Sequence, residues 1–228
     1  MNARTVFRPR KDQPPVKLRL AALSAMTLLT ACSHAGQLTS ENGGGVYAAR
    51  SACPIAGVPA ETGDITLFNP QGSTDSRAID VTASISDVRA TCQQVGDDEV
   101  SVTTFIITAL RRDPGPARQV VLPYFNVALR GGTTVAAKTV GHAVLNFAPG
   151  SIHAWTRLPV TIRVNRGAAS LPANVQAILT VVRRPGQADA ATDPMAEPGV
   201  RAAVANATFE HLVGFQLTRE QLQYNATR

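Results

Sequence analysis

Strand-like runs dominate the middle of this chain, and the first of them alternates strictly. Ile79, Val81, Ala83 and Ile85 interleave with Asp80, Thr82, Ser84 and Ser86. Successive side chains of a strand point to opposite faces, so a period of two with one apolar phase predicts a strand with one buried face. No other feature restricts the fold as strongly. The alternation continues toward Val88 and Cys92 after a break in phase near Asp87, as a β-bulge would produce. Residues 100–110 form a second β-branched, apolar run, and Val95-Gly96-Asp97-Asp98-Glu99 supplies turn chemistry between the two. Asp113-Pro114-Gly115-Pro116 is a breaker, and a third run over residues 119–130 stops at Gly131-Gly132. Residues 134–140, 144–147, 158–164 and 175–182 add further candidate strands.

Helical patterns are scarce over residues 60–184. The runs also follow one another too closely for the crossover helices that a parallel sheet needs. The expected fold is all-β: an antiparallel β-sandwich of about seven strands, immunoglobulin-like, with a small closed barrel as the alternative. Residues 53–184 would form this domain. Residues 185–204, rich in proline and alanine and without apolar period, read as a linker. Residues 205–228 would return as a last strand near residues 208–215 and a short C-terminal helix packing on the sandwich. Thr218 and Gln221 stand at capping-box spacing at the start of that helix.

The beginning of the sequence has a different character. Arg4, Arg8, Arg10, Lys11, Lys17 and Arg19 precede ten largely apolar residues, 20–29, which are too few to span a bilayer. Leu29-Thr30-Ala31-Cys32 follows. This stretch resembles the lipobox of bacterial lipoprotein precursors. The resemblance implies that residues 1–31 are a signal peptide, and that Cys32 takes lipid on its sulfur and an acyl chain such as palmitate on its new amino group. Ser33 in the next position, rather than Asp, implies sorting to the outer membrane, facing the periplasm. Residues 32–52, with Gly43-Gly44-Gly45, then read as a flexible tether. About 20 such residues reach roughly 25 Å on average and about 65 Å when extended.

Removing the leader changes the electrostatics. The chain has 22 Lys+Arg and 16 Asp+Glu, a formal charge of +6. Six of those cations and one of those acids lie in residues 1–31, which leaves 16 basic against 15 acidic residues and a net charge of +1. A nucleic-acid partner, which requires a basic footprint, is therefore not expected. Arg111-Arg112 and Arg183-Arg184 end apolar runs and read as solvated strand ends. Of the three cysteines, Cys32 is assigned to lipid, so Cys53 and Cys92 remain as an even pair. An oxidising periplasm favours a disulfide between them over two buried thiols. Cys53 precedes the main strands, so the bridge would pin the N-terminal segment to the strand or turn at Cys92.

No stretch carries recognisable catalytic chemistry. His34, His142, His153 and His211 are widely spaced, unlike zinc ligands. No Gly-x-Ser-x-Gly elbow or phosphate-binding loop is present, and Asp97-Asp98-Glu99 lacks the spacing of a calcium loop. No cofactor or metal is expected. The lone Trp155, beside His153, is expected to pack on the core. Residues 214–225 (Gly-Phe-Gln-Leu-Thr-Arg-Glu-Gln-Leu-Gln-Tyr-Asn), together with Asp87-Val88-Arg89-Ala90-Thr91-Cys92 and Pro123-Tyr124-Phe125, resemble a group of uncharacterised α-proteobacterial outer-membrane lipoproteins. That resemblance implies an address and no activity. The expected function is a lipid-anchored envelope protein with a non-enzymatic structural or interaction role and an envelope protein as partner. The alternatives are a binding module for a small apolar or envelope ligand and, less favoured, a hydrolase with an unrecognised site.

Overall fold

A computed structural model describes residues 52–181, 186, 188 and 191–227. The leader, Cys32, His34 and Arg183-Arg184 lie outside the described residues. Among those described, the apolar runs form eight strands in two four-stranded sheets, an all-β sandwich. One sheet has the order β1 (Ile55–Gly57), β8 (Phe209–Phe215), β5 (Arg118–Arg130) and β6 (Thr134–Phe147). The other has the order β2 (Asp64–Phe68), β3 (Ile79–Val95), β4 (Asp98–Arg111) and β7 (His153–Asn165). Every pairing is antiparallel except that of β1 with β8.

The core lies where the two apolar phases meet. Phe105 and Ile107 of β4 face Leu122 of β5, Leu145 and Phe147 of β6 and Phe215 of β8, all completely or almost completely buried. Removing one such side chain from water favours folding by about 1.5–3 kcal/mol. The phase break in β3 is a bulge: the register with β4 shifts between Ser86 and Arg89, and Asp87 has φ 51°. That extra residue returns Val88 to the core side, where it packs against the main cluster. The β3–β4 turn uses Gly96 at φ 61°.

Two expected strands, residues 134–140 and 144–147, are one continuous β6. Gly141 looks like a break in sequence, but its role is close approach. A Cβ there would fall 2.5 Å from Cζ of Tyr124 on the neighbouring strand.

The structure corrects the reading of residues 175–182 as a strand: Ala173–Thr180 is a helix, α1. It also places a second helix, α2 (Pro198–Asn206), over the last part of the stretch expected to be a linker and just beyond it. The two helices account for each other. Val175 and Leu179 sit four apart, as do Val200 and Val204, and these four side chains form one small buried cluster. Residues four apart share one face of a helix, so each pair can bury against the other. Short β1 and β2, unanticipated in sequence, extend the sheets at their other edges.

At the C-terminus the capping box of α3 (Arg219–Thr227) is complete. The Gln221 N–H donates to Thr218 Oγ1 at 3.2 Å, and the Thr218 N–H donates to Gln221 Oε1 at 2.9 Å. Asn225 Nδ2 donates to the backbone oxygens of Glu61 and Asp64, both at 2.8 Å. Tyr224 meets Phe68 edge to face at 5.2 Å. These contacts hold the helix against β2. The expected Cys53–Cys92 disulfide is present, with Cα atoms 5.9 Å apart. It ties the segment before β1 in one sheet to β3 in the other.

Candidate functional site

The polar residues that interrupt the apolar phases come together inside the sandwich. Ser101 and Thr103 lie on the inward side of β4, in step with Phe105 and Ile107. Asn126 is in step with Leu122 on β5, and His211 with Phe209 and Val213 on β8. The Ser101 and Thr103 hydroxyls lie 3.0 and 2.9 Å from His211 Nδ1. Asn126 Oδ1 lies 2.7 Å from His211 Nε2, and Asn126 Nδ2 donates to the Thr161 backbone oxygen on β7 at 3.1 Å. With its amide nitrogen committed to Thr161, Asn126 offers an oxygen to the ring, so Nε2 carries the hydrogen and Nδ1 accepts from the hydroxyls. That is a neutral imidazole. Burial also pushes the His211 pKa down to about 4.

Hydroxyl, imidazole and amide in this order resemble a nucleophile, a base and its orienting group. Access distinguishes the two cases. Ser101, Thr103 and His211 are each 0% exposed, so the hydroxyls face the imidazole with no path for a substrate. As it stands, the cluster bonds β4 and β7 of one sheet to β5 and β8 of the other. A polar network with every member satisfied can be as stable as an apolar core and more particular about strand register.

The remaining sequence candidates are dispersed. His142 is exposed on β6 and His153 is exposed at the start of β7. Asp97 sits in the β3–β4 turn, and Asp98 and Glu99 open β4. Trp155, expected in the core, is 68% exposed. It falls on the outward phase of β7, between His153 and Arg157, whereas Ala154 takes the inward place. Arg111 departs from expectation in the opposite sense: it is 4% exposed. Its guanidinium donates to the backbone oxygens of Ser151, Pro116, Gly115 and Ala148 at 2.7–3.3 Å and lies 5.3 Å from the centre of the Phe147 ring. It ties the loop before β5 to the loop before β7. Five donors in a planar fork suit a cluster of backbone carbonyls.

Two surface features remain. An open groove of about 460 Å³ on the β2-β3-β4-β7 sheet is bordered by Thr82, Ser84, Thr108, Leu110 and His153. Trp155 pairs with Thr108 and so flanks it. The enclosed space beside Cys53, Leu171 and Phe209 is only about 30 Å³, close to the size of one water. The other feature is the outer face of the β1-β8-β5-β6 sheet. Val121 pairs with Val144, Phe125 with Val140 and Leu129 with Val135, so these side chains share one face. Val121, Val135, Val140 and Val144 are 41–57% exposed there. Lys138 reaches over the Phe125 ring at 5.3 Å.

No family model and no curated protein matches the chain. Among solved structures it is similar to a DUF1425 family member from Shewanella sp. pv-4, at 14% identity and a TM-score of 0.24, over 47% of this chain and 82% of that one. The likeness is too slight to bear on fold or function.

Proposed function

We propose that this chain is a lipid-anchored protein of the bacterial outer membrane, facing the periplasm, with a non-enzymatic interaction role. The observation that carries the reading is the valine-rich outer face of the β1-β8-β5-β6 sheet. A sheet face left to water ordinarily carries the polar phase of the alternation. Here the outer phase of β5 is apolar as well as the inner one (Val121, Phe125 and Val127 outside, Leu122 inside), and Val140 and Val144 of β6 stand beside it among Lys138, His142 and Asn146. Exposed valines clustered on one sheet face support a contact site there. The lipobox at Cys32 and the loss of basic charge with the leader support the address and argue against a nucleic-acid partner. The His211 cluster is sealed and so lends the hydrolase alternative no support. The open groove on the β2-β3-β4-β7 sheet, beside Trp155, favours a surface-bound ligand as the second reading.

The anchor is tested by Cys32→Ala. Metabolic palmitate labelling and membrane fractionation should show a labelled, membrane-bound wild type, and an unlabelled variant that accumulates as precursor. A variant that is still processed and pelleted with membranes would overturn the anchor. The interaction role is tested by in-cell cross-linking from position 144. Capture of a protein there supports it, and exclusive recovery of an uncross-linked chain removes it.

A further inference from the structure

The groove of about 460 Å³ on the outer face of the β2-β3-β4-β7 sheet falls within the size range of small-molecule sites. Residues paired across antiparallel strands share a face, so the register defines what the groove presents. Asp64, Ser84, Thr108 and Trp155 form one row across the sheet, and Thr82, Leu110 and His153 form the next. Neighbouring strands lie about 4.8 Å apart, so the first row spans roughly 14 Å from β2 to β7. It begins at a carboxylate, passes two hydroxyls and ends at the only tryptophan of the chain. Trp155 is largely exposed, and Leu110 in the next row is 42% exposed. His153 lies two residues before Trp155 and stands on the same face of β7. The surface thus joins a flat aromatic end to a row of hydrogen-bonding groups.

We propose that this groove is a carbohydrate site, which takes a neutral oligosaccharide with a ring face on Trp155 and its hydroxyls over Thr108, Ser84 and His153. This gives a chemical class to the surface-bound ligand of the second reading. It rests on that reading and not on the valine-rich face. A pyranose with equatorial hydroxyls turns its axial C–H bonds to the two ring faces and its hydroxyls to the rim. An exposed indole offers such a ring face a flat apolar partner. The Thr82, Ser84 and Thr108 hydroxyls both donate and accept, as sugar hydroxyls do, and the Asp64 carboxylate accepts. Other ligand classes match the groove less well. Strands β3 and β4 are paired on both sides, so their backbone groups are occupied and cannot hold an added peptide strand. An apolar ligand would strip water from the hydroxyls, the imidazole and the carboxylate without replacing their hydrogen bonds. An anion would meet Asp64, and the next cation along β7, Arg157, already faces Asp87 at 3.4 Å. A neutral, hydroxyl-rich ligand leaves none of these groups opposed.

Because Trp155 is the only tryptophan, indole emission of the full chain reports the site directly. The chain, purified in a detergent without a sugar headgroup, should show a saturable shift to shorter wavelength on titration with cellotriose. Saturation-transfer NMR read on the cellotriose protons follows variants that lack the indole. Trp155→Ala should weaken binding at least tenfold, and Trp155→Phe should restore most of it. Ser84→Ala and His153→Ala should each weaken it severalfold. Val144→Ser, on the opposite sheet, should leave it unchanged. Circular dichroism of each variant separates misfolding from a lost contact. Absence of a saturable shift overturns the proposal, as does cellotriose binding that is indifferent to Trp155→Ala. Tighter binding of trigalacturonate than of cellotriose overturns the neutral class. A protein cross-linked in cells from position 155, with cellotriose without effect, assigns Trp155 to a protein contact and overturns the carbohydrate site. None of these outcomes bears on the cross-linking from position 144, so the interaction role stands or falls separately.

Discussion

At the residue scale, the most consequential side chain is His211. Unfolded, a histidine titrates near 6.5. Folded, burial holds its pKa at about 4. As pH falls, the unfolded chain therefore takes up the proton first. The stability that depends on the neutral ring is whole above about pH 6.5 and is lost progressively down to about pH 4, by up to about 3 kcal/mol. Urea midpoints should decline between pH 6.5 and 4.5 for the wild type. His211→Leu should be less stable at pH 7 by about 2–4 kcal/mol, because Ser101, Thr103 and Asn126 lose their partner. Its midpoint should be nearly flat over that window, and a flat wild-type curve would sink the idea. The members of this cluster were legible in part. Each stands on the inward phase of a strand that the alternation reveals. Which of them touch was hidden, because three strands far apart in sequence bring them together. Trp155 and Arg111 teach the converse. Hydrophobic character predicted burial for one and charge predicted exposure for the other. Strand phase put Trp155 outside, and a ring of loop carbonyls gave Arg111 enough acceptors to be buried.

At the scale of elements, the long strands β3, β4 and β5 lie close to where alternation and turn residues place them, including the bulge at Asp87. Strand β8 and the capping box of α3 also follow the reading of residues 208–221. The misreading of α1 has a physical reason. Val175, Ile178, Val181 and Val182 have the β-branched composition of a strand, but short apolar runs do not distinguish strand from helix by period alone. Only the presence of Val200 and Val204 at matching helical spacing gives the Val175–Leu179 face something to bury against. The two helices are thus a small cooperative unit beside the sandwich. Leu179→Ala should cost about 2–4 kcal/mol locally. It should accelerate hydrogen exchange in residues 173–180 and 198–206 while leaving β4 and β5 protected. Uniform acceleration through the sandwich would show that the helices are not separable.

At the scale of the whole molecule, the sheets are joined, besides the apolar core, by the His211 network, the Arg118–Asp80 ion pair and the Cys53–Cys92 bridge. The bridge closes a span of 39 residues, and the chain-entropy account assigns such a loop about 4 kcal/mol. Cys53→Ala with Cys92→Ala should lower the unfolding free energy by 2–4 kcal/mol without changing the strand signal in circular dichroism. An unchanged midpoint after reduction of the wild type would show that the core alone sets the stability. By itself, the sequence determined the fold class, the strand phases, the pairing of the two cysteines and, through the lipobox resemblance, an expected address. Those properties follow from local spacing and from counts. Only the tertiary structure decided that residues 173–180 are helical, that Trp155 faces water and Arg111 does not, and that a histidine, two hydroxyls and an amide meet in a sealed core. Each of these depends on which distant segments become neighbours, and backbone hydrogen bonds and apolar burial settle that together, across separations that no local pattern records.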